Sequence, residues 1–292
     1  MKKIALWGAA GAAALLLALE VGLRLGGVLD VPLFRIDPHA GYIERPSQSG
    51  AFMRKHRWAY NDHQLGSEAP FRPTGVLLVG DSVVNGGNPL DHSEKLGPML
   101  EKTLGVPVWP LAAGGWALEN QLQALKSDPA LLKVPTLVVV SNSGDFGAMN
   151  SWSSPLNYPL QTPPSAIVYV AQKKVFRPRD TVDSPPSAEA TARWRADVAD
   201  LLARYHGRVI WVLYPKKEEI GAANPTFSEL RKLIEGRAEI IDVSARPDWS
   251  SSNYRDDIHP SIEGNRVLSE ILAQAILRRA TTLRAGAAGS ID

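Results

Sequence analysis

Two short strings in this chain fit one chemistry. Gly80-Asp81-Ser82 follows directly on the apolar run Val76-Leu77-Leu78-Val79, and Asp256-Asp257-Ile258-His259-Pro260 stands near the far end. A serine hydroxyl is a poor nucleophile near neutral pH, so it needs a base within hydrogen-bond reach and a third group to orient that base. Ser82, His259 and Asp256 supply those three types. Asp257 competes with Asp256 for the orienting role, and Asp81 is expected to fix its own turn by hydrogen bonds rather than to move a proton. Either string alone is a common accident, a polar turn after a strand or an acid three residues before a histidine. Their combination and order favour acyl transfer.

On these residues the chain resembles the GDSL or SGNH hydrolase family, whose sequence blocks supply a Ser, a Gly, an Asn and a His. Residues 76–87, read VLLVGDSVVNGG, match the first block, including Gly86 four places after Ser82. Gly115, in Pro110-Leu111-Ala112-Ala113-Gly114-Gly115, takes the glycine of the second block, with Pro110 where that block usually begins with Asn. Residues 256–265, read DDIHPSIEGN, match the last block. The third block departs from the family's Gly-x-Asn-Asp: the chain reads Ser141-Asn142-Ser143-Gly144-Asp145-Phe146. Aligned on Asp145, Gly144 occupies the Asn position. Asn142 lies two residues earlier and either reaches the site through a differently shaped loop or satisfies a turn at the strand end. The resemblance, over roughly residues 70–275, implies an oxyanion hole from the Ser82 and Gly115 backbone with Asn142 as the side-chain candidate. Removing one such donor typically costs about 100- to 1,000-fold in rate.

The elements that must position these residues are readable from the hydrophobic pattern. Short continuous apolar runs at 76–79, 106–111, 137–140, 209–213 and 240–243 suit parallel strands buried on both faces. Helical candidates at 93–104, 118–126, 188–205, 227–235 and 262–283 alternate with them. The alternation predicts an α/β fold, a doubly wound, mostly parallel sheet flanked by helices in three layers. Ligands of such sheets bind beyond the carboxyl ends of the strands, where Ser82, Gly115, Asn142 and the His259 loop all fall.

The amino-terminus predicts where the domain works. Lys2 and Lys3 precede an apolar stretch from Ile4 to Leu19, the order of a signal anchor or a secretory signal. Those residues span about 24 Å as a helix against a hydrocarbon core of about 30 Å. Continuing to Val28 supplies the length if Glu20 and Arg24, four apart, pair on the helix. The expectation is a single-pass cell-membrane protein with its amino-terminus cytoplasmic and its catalytic domain periplasmic. Secretion after signal cleavage is one alternative, and a buried or docking helix is another.

The rest of the chain divides into an extended arm at 30–74, with room for a short strand or hairpin, a catalytic domain at 75–283 and an unstructured tail at 284–292. Within the domain, residues 147–187 form a long Pro- and Ser-rich stretch, either a lid over the site or a surface excursion. With 292 residues, 45% hydrophobic and 21% charged, the chain can bury one sizeable core. A net charge of +2 without a basic cluster argues against nucleic acid as a partner. The chain has no cysteine and six scattered histidines, so no metal and no cofactor is expected. Trp116, Trp152 and Trp249 offer ring faces for stacking on sugar, or simply pack. The expected substrate is an acyl ester, foremost an O-acetyl group on a cell-surface or exported glycan, cleaved by water or transferred to an acceptor hydroxyl. A lipid or lysophospholipid ester is the rival substrate. A different class of function, a non-catalytic polysaccharide-binding or assembly protein on the same fold, follows if the altered third block has silenced the site. Nothing in the pattern fixes the oligomeric state.

Overall fold

The structure, a computed structural model, describes residues 2–176, 185–222 and 224–288. Helix α1 (Lys2–Leu25) comes first, and Glu20 and Arg24 pair on it at 2.6 Å. Its segment Lys3–Leu25 has a mean hydropathy of 2.0 over its most apolar window, none of which is fully buried in the rest of the chain. At 1.5 Å per residue it is long and apolar enough to cross a bilayer.

The arm at 30–74 contains short strands. It folds as two antiparallel hairpins, β1 (Phe34–Asp37) with β2 (Gly41–Glu44) and β3 (Gln48–Phe52) with β4 (His56–Tyr60). Phe34, Ala40, Tyr42, Ile43 and Leu65 from this region join the same apolar core as the helices of the main domain.

The main domain runs β5 (Val76–Gly80), α2 (Ser82–Asn85), α3 (Leu96–Leu104), β6 (Val108–Ala112), α4 (Leu118–Ser127), β7 (Thr136–Asn142), α5 (Ala166–Ala171), α6 (Ala188–Arg204), β8 (Arg208–Tyr214), α7 (Pro225–Ile234), β9 (Glu239–Asp242) and α8 (Ile262–Ala288). The five strands form one parallel sheet in the order β6-β5-β7-β8-β9. Alternate residues of β5 serve opposite layers: Leu77 and Val79 meet α4, α6 and α7, whereas Val76 and Leu78 meet α3 and α8. Such two-sided burial explains the unbroken apolar runs and gives the expected doubly wound, three-layer fold. Helix α8 continues to Ala288, beyond the expected boundary at 283 and through Gly286; residues 289–292 of the expected tail lie outside the described residues.

Strand order reverses between β5 and β7, which opens a crevice beyond their carboxyl ends. Ser82 follows β5, Gly115 follows β6, and Asn142 ends β7. The topology therefore brings three of the expected site residues to one sheet edge.

Candidate active site

At that edge lies a cavity of about 830 Å³ whose lining includes Ser82, Gly115, Trp116, Asn142, Asp257 and His259. Ser82 is the first residue of α2. Asp81 caps that helix, its carboxylate accepting from the Val83 N–H at 2.9 Å, and Gly86 closes it with φ of +73°, a left-handed conformation that favours glycine. The Ser82 hydroxyl donates to Asp81 at 3.2 Å. Burial pushes the Asp81 carboxyl up, against the Val83 N–H and the nearby His259, which pull it down.

His259 comes from the loop before α8. Its Nδ1 lies 2.9 Å from Asp256 Oδ2 and 3.0 Å from Oδ1. Asp256 also accepts from the backbone N–H of Ile258 at 3.0 Å and of His259 at 2.7 Å. Its partial burial would raise the carboxyl, but those donors and the imidazole outweigh it and hold Asp256 below the usual carboxylate range. An ionised carboxylate only accepts, so Nδ1 carries the hydrogen and Nε2 is left as the basic nitrogen. Of the two adjacent acids, Asp256 is the one bonded to the imidazole. Asp257 faces the cavity, and its carbonyl accepts from the Lys217 N–H at 2.8 Å.

The loop carrying His259 is tied down from several sides. Tyr214 donates its hydroxyl to the Ile258 carbonyl at 2.8 Å, and Arg255 reaches the Gly86 carbonyl at 3.1 Å. That second contact joins the histidine loop directly to the end of the serine helix. Trp249 supports the loop from behind, its indole N–H on the Tyr254 hydroxyl at 2.9 Å.

Asn142 does something other than face the cavity with a free amide. Its Nδ2 donates to Asp81 at 3.0 Å and to Asp145 at 2.8 Å, while its Oδ1 accepts from the Gly144 N–H at 2.7 Å. Both amide hydrogens are thus spent inside the fold, and the side chain caps the turn over residues 143–146. Asp145 is fixed in turn by Gln121 at 3.1 Å. The tryptophans also pack. Trp116 borders the cavity but is only 2% exposed, with its N–H on the Tyr42 carbonyl, and Trp152, which does not line the cavity, donates to the Tyr158 carbonyl. At that exposure Trp116 presents no open ring face to a sugar.

Several residues of the site carry no sequence signal. Val31, Phe34, Glu44 and Tyr60 of the hairpin region line the cavity. Glu44 is buried between the Tyr60 hydroxyl at 3.1 Å and Asn85 Nδ2 at 3.0 Å, and burial pushes its carboxyl up to about 7. Tyr42 donates to the Gly114 carbonyl at 2.7 Å, steadying the turn in which Gly115 takes φ of +73°. Within the long stretch at 147–187, Asn157, Tyr158, Pro159, Tyr169 and Lys173 form one wall of the cavity, and residues 177–184 of that stretch lie outside the described residues.

No protein-family model matches this sequence, and no curated protein matches it. Solved structures similar to it include a lipase/acylhydrolase from Enterococcus faecalis, with 14% identity, a TM-score of 0.46 and coverage of 70% of this chain and 95% of that one. A lipolytic protein of the G-D-S-L family from Desulfitobacterium hafniense has 14% identity and a TM-score of 0.43 over 70% of this chain and 99% of its own. An acetyl xylan esterase from Butyrivibrio proteoclasticus has 12% identity and a TM-score of 0.43 over 74% and 66%. At these values the likeness says nothing about chemistry.

Proposed function

We propose that the chain is a serine esterase or acyltransferase acting through an acyl-enzyme. The observation that carries this reading is the Asp256–His259 pair at the wall of the same cavity that Ser82 lines. Ser82 Oγ attacks the ester carbonyl, its proton passes to His259 Nε2, and an Oγ–carbon bond forms. Collapse of the tetrahedral intermediate breaks the ester carbon–oxygen bond, and the imidazolium returns the proton to the leaving alkoxide. Water or an acceptor hydroxyl, deprotonated by the same imidazole, then releases the acyl group. Asp256 keeps the ring oriented and stabilises its charged form. The Ser82 hydroxyl must first turn from Asp81 towards the imidazole, a bond that commonly tightens only with substrate bound.

The oxyanion would be held by the backbone N–H groups of Ser82 and Gly115. Asn142 is better read as the structural partner of Asp81 and Asp145 than as a third donor. The preferred substrate is an O-acetyl group of a cell-surface or exported glycan, reached by a domain held outside the membrane by α1, with a lipid ester as the rival. Turnover of p-nitrophenyl acetate by the full-length protein in detergent tests the reading. Ser82→Ala should reduce it to the background rate.

A second reading, a binding or assembly protein with a silent site, is favoured by one observation: Ser82 and Asn142 both direct their hydrogens at Asp81. Wild-type turnover no faster than that of Ser82→Ala would select it.

A further inference from the structure

The end of α1 is gripped by two segments far apart in sequence. Glu20 accepts from the Ser165 hydroxyl at 3.0 Å and from the Ala166 and Ile167 N–H groups at 2.9 and 3.0 Å, so a residue of the apolar helix caps α5. Arg24, paired with Glu20, also donates to the Pro164 carbonyl. Leu23, Val28 and Leu29 pack against Ala166 and Tyr169. On the other side, the tip of the β3–β4 hairpin meets the same end: Arg54 Nε donates to the Leu25 carbonyl at 3.0 Å and the Met53 N–H to the Gly27 carbonyl at 3.0 Å.

Both segments carry the same unusual surface. Beside α1, the α5 segment and its continuation to residue 176 expose Val168 at 52% and Val175 at 73%, with Lys174 between them also exposed. The hairpin tip exposes Met53 at 56%, followed by exposed Arg54 and Lys55. Apolar side chains mixed with bases around the emerging end of an apolar helix match the headgroup layer of a bilayer bearing anionic lipid, where each apolar group finds acyl chain and each base finds phosphate. Their place follows from α1 itself, because residues bonded to positions 20–27 of a helix that spans from its first turns lie at the level where hydrocarbon ends.

We propose that α5 with its continuation and the tip of the β3–β4 hairpin form a basic, apolar collar seated in the anionic bilayer surface that α1 enters. Since Tyr169 on α5 and Lys173 on its continuation also line the cavity, the collar sets one wall of the candidate site against the membrane. This rests on α1 being a retained anchor.

The chain's lack of cysteine makes the test direct. Single variants Met53→Cys, Val168→Cys and Val175→Cys carry a nitroxide in the full-length protein, reconstituted into vesicles of phosphatidylcholine with phosphatidylglycerol. Leu15→Cys reports the span, and Glu235→Cys, on exposed α7-proximal surface, reports water. The collar labels should show a severalfold higher ratio of oxygen to nickel-chelate accessibility than the label at 235, and a lower ratio than the label at 15. A bilayer reading at 15 with water-like readings at 53, 168 and 175 would overturn the collar while leaving the anchor. A water-like reading at 15 would remove the anchor and the collar with it. Immobilised collar labels showing spin–spin broadening and little oxygen contact would assign this face to a second copy of the chain, against the proposal.

Discussion

Asp256 and His259 illustrate how one contact decides a role between equals. Two adjacent acids precede the histidine, and only Asp256 bonds to the ring, so Asp256→Asn should lower turnover by about 100- to 10,000-fold through the wrong tautomer, with Asp257→Asn far milder. Measuring kcat for both variants checks the assignment. Asn142 has the opposite lesson. Its amide bridges two buried acids, so Asn142→Ala should cost roughly 1–3 kcal/mol of stability for each donor lost, read as a fall in denaturation midpoint. Glu44 gives the protein a pH dependence of its own. Its carboxyl rises from an ordinary 4.5 to about 7, so the folded state holds the proton more tightly than the unfolded one. The associated stability is full below pH 4.5 and is lost as pH rises through 7, an amount on the order of 3 kcal/mol. Burial lowers the neighbouring Lys95 to about 8, so it stays protonated in both states over most of that window and adds little slope. Wild-type Tm should therefore fall between pH 5 and 8, and Glu44→Gln should flatten that fall; equal slopes would contradict the assignment.

The hairpin region is the element whose role the sequence concealed. Its strands are four or five residues long, and their burial follows neither a helical nor a strictly alternating period, so no pattern marks them. The sheet strands were readable because burial on both faces demands unbroken Val, Ile and Leu. Their alternation with amphipathic helices assigns Ser82, Gly115 and the His259 loop to one edge of the sheet. What stayed hidden depends on contacts between distant residues: Glu20 with the start of α5, Tyr42 with Gly114, Arg255 with Gly86. The third block shows the limit most plainly, since only geometry reveals which way the Asn142 amide points. Tyr42 binds hairpin, glycine turn and the Tyr158 wall of the cavity together, its ring tilted 35° to that of Tyr158 with centroids 4.4 Å apart. Tyr42→Phe should cost about 0.5–1.5 kcal/mol in stability. It should also lower kcat more than it raises KM, because the Gly115 turn loosens without loss of cavity shape. A chain beginning at residue 75 should lack a cooperative thermal transition, as the apolar face under Phe34, Tyr42 and Leu65 would be bare.

As a whole, the molecule is an α/β domain whose candidate site and apolar amino-terminal helix are joined through the same long segment. Removal of residues 1–29 should leave the protein in the soluble fraction after cell lysis, while the full chain should stay with membranes through an alkaline carbonate wash. Full-length protein released by that wash would argue against an anchor. The claim on which the functional account turns is that Ser82 is an activated nucleophile. Treatment with a fluorophosphonate, followed by proteolysis and mass spectrometry, addresses it most directly. The account predicts one adduct, on Ser82, that is lost in His259→Ala. An unmodified Ser82, or an adduct whose yield is indifferent to His259, would contradict it.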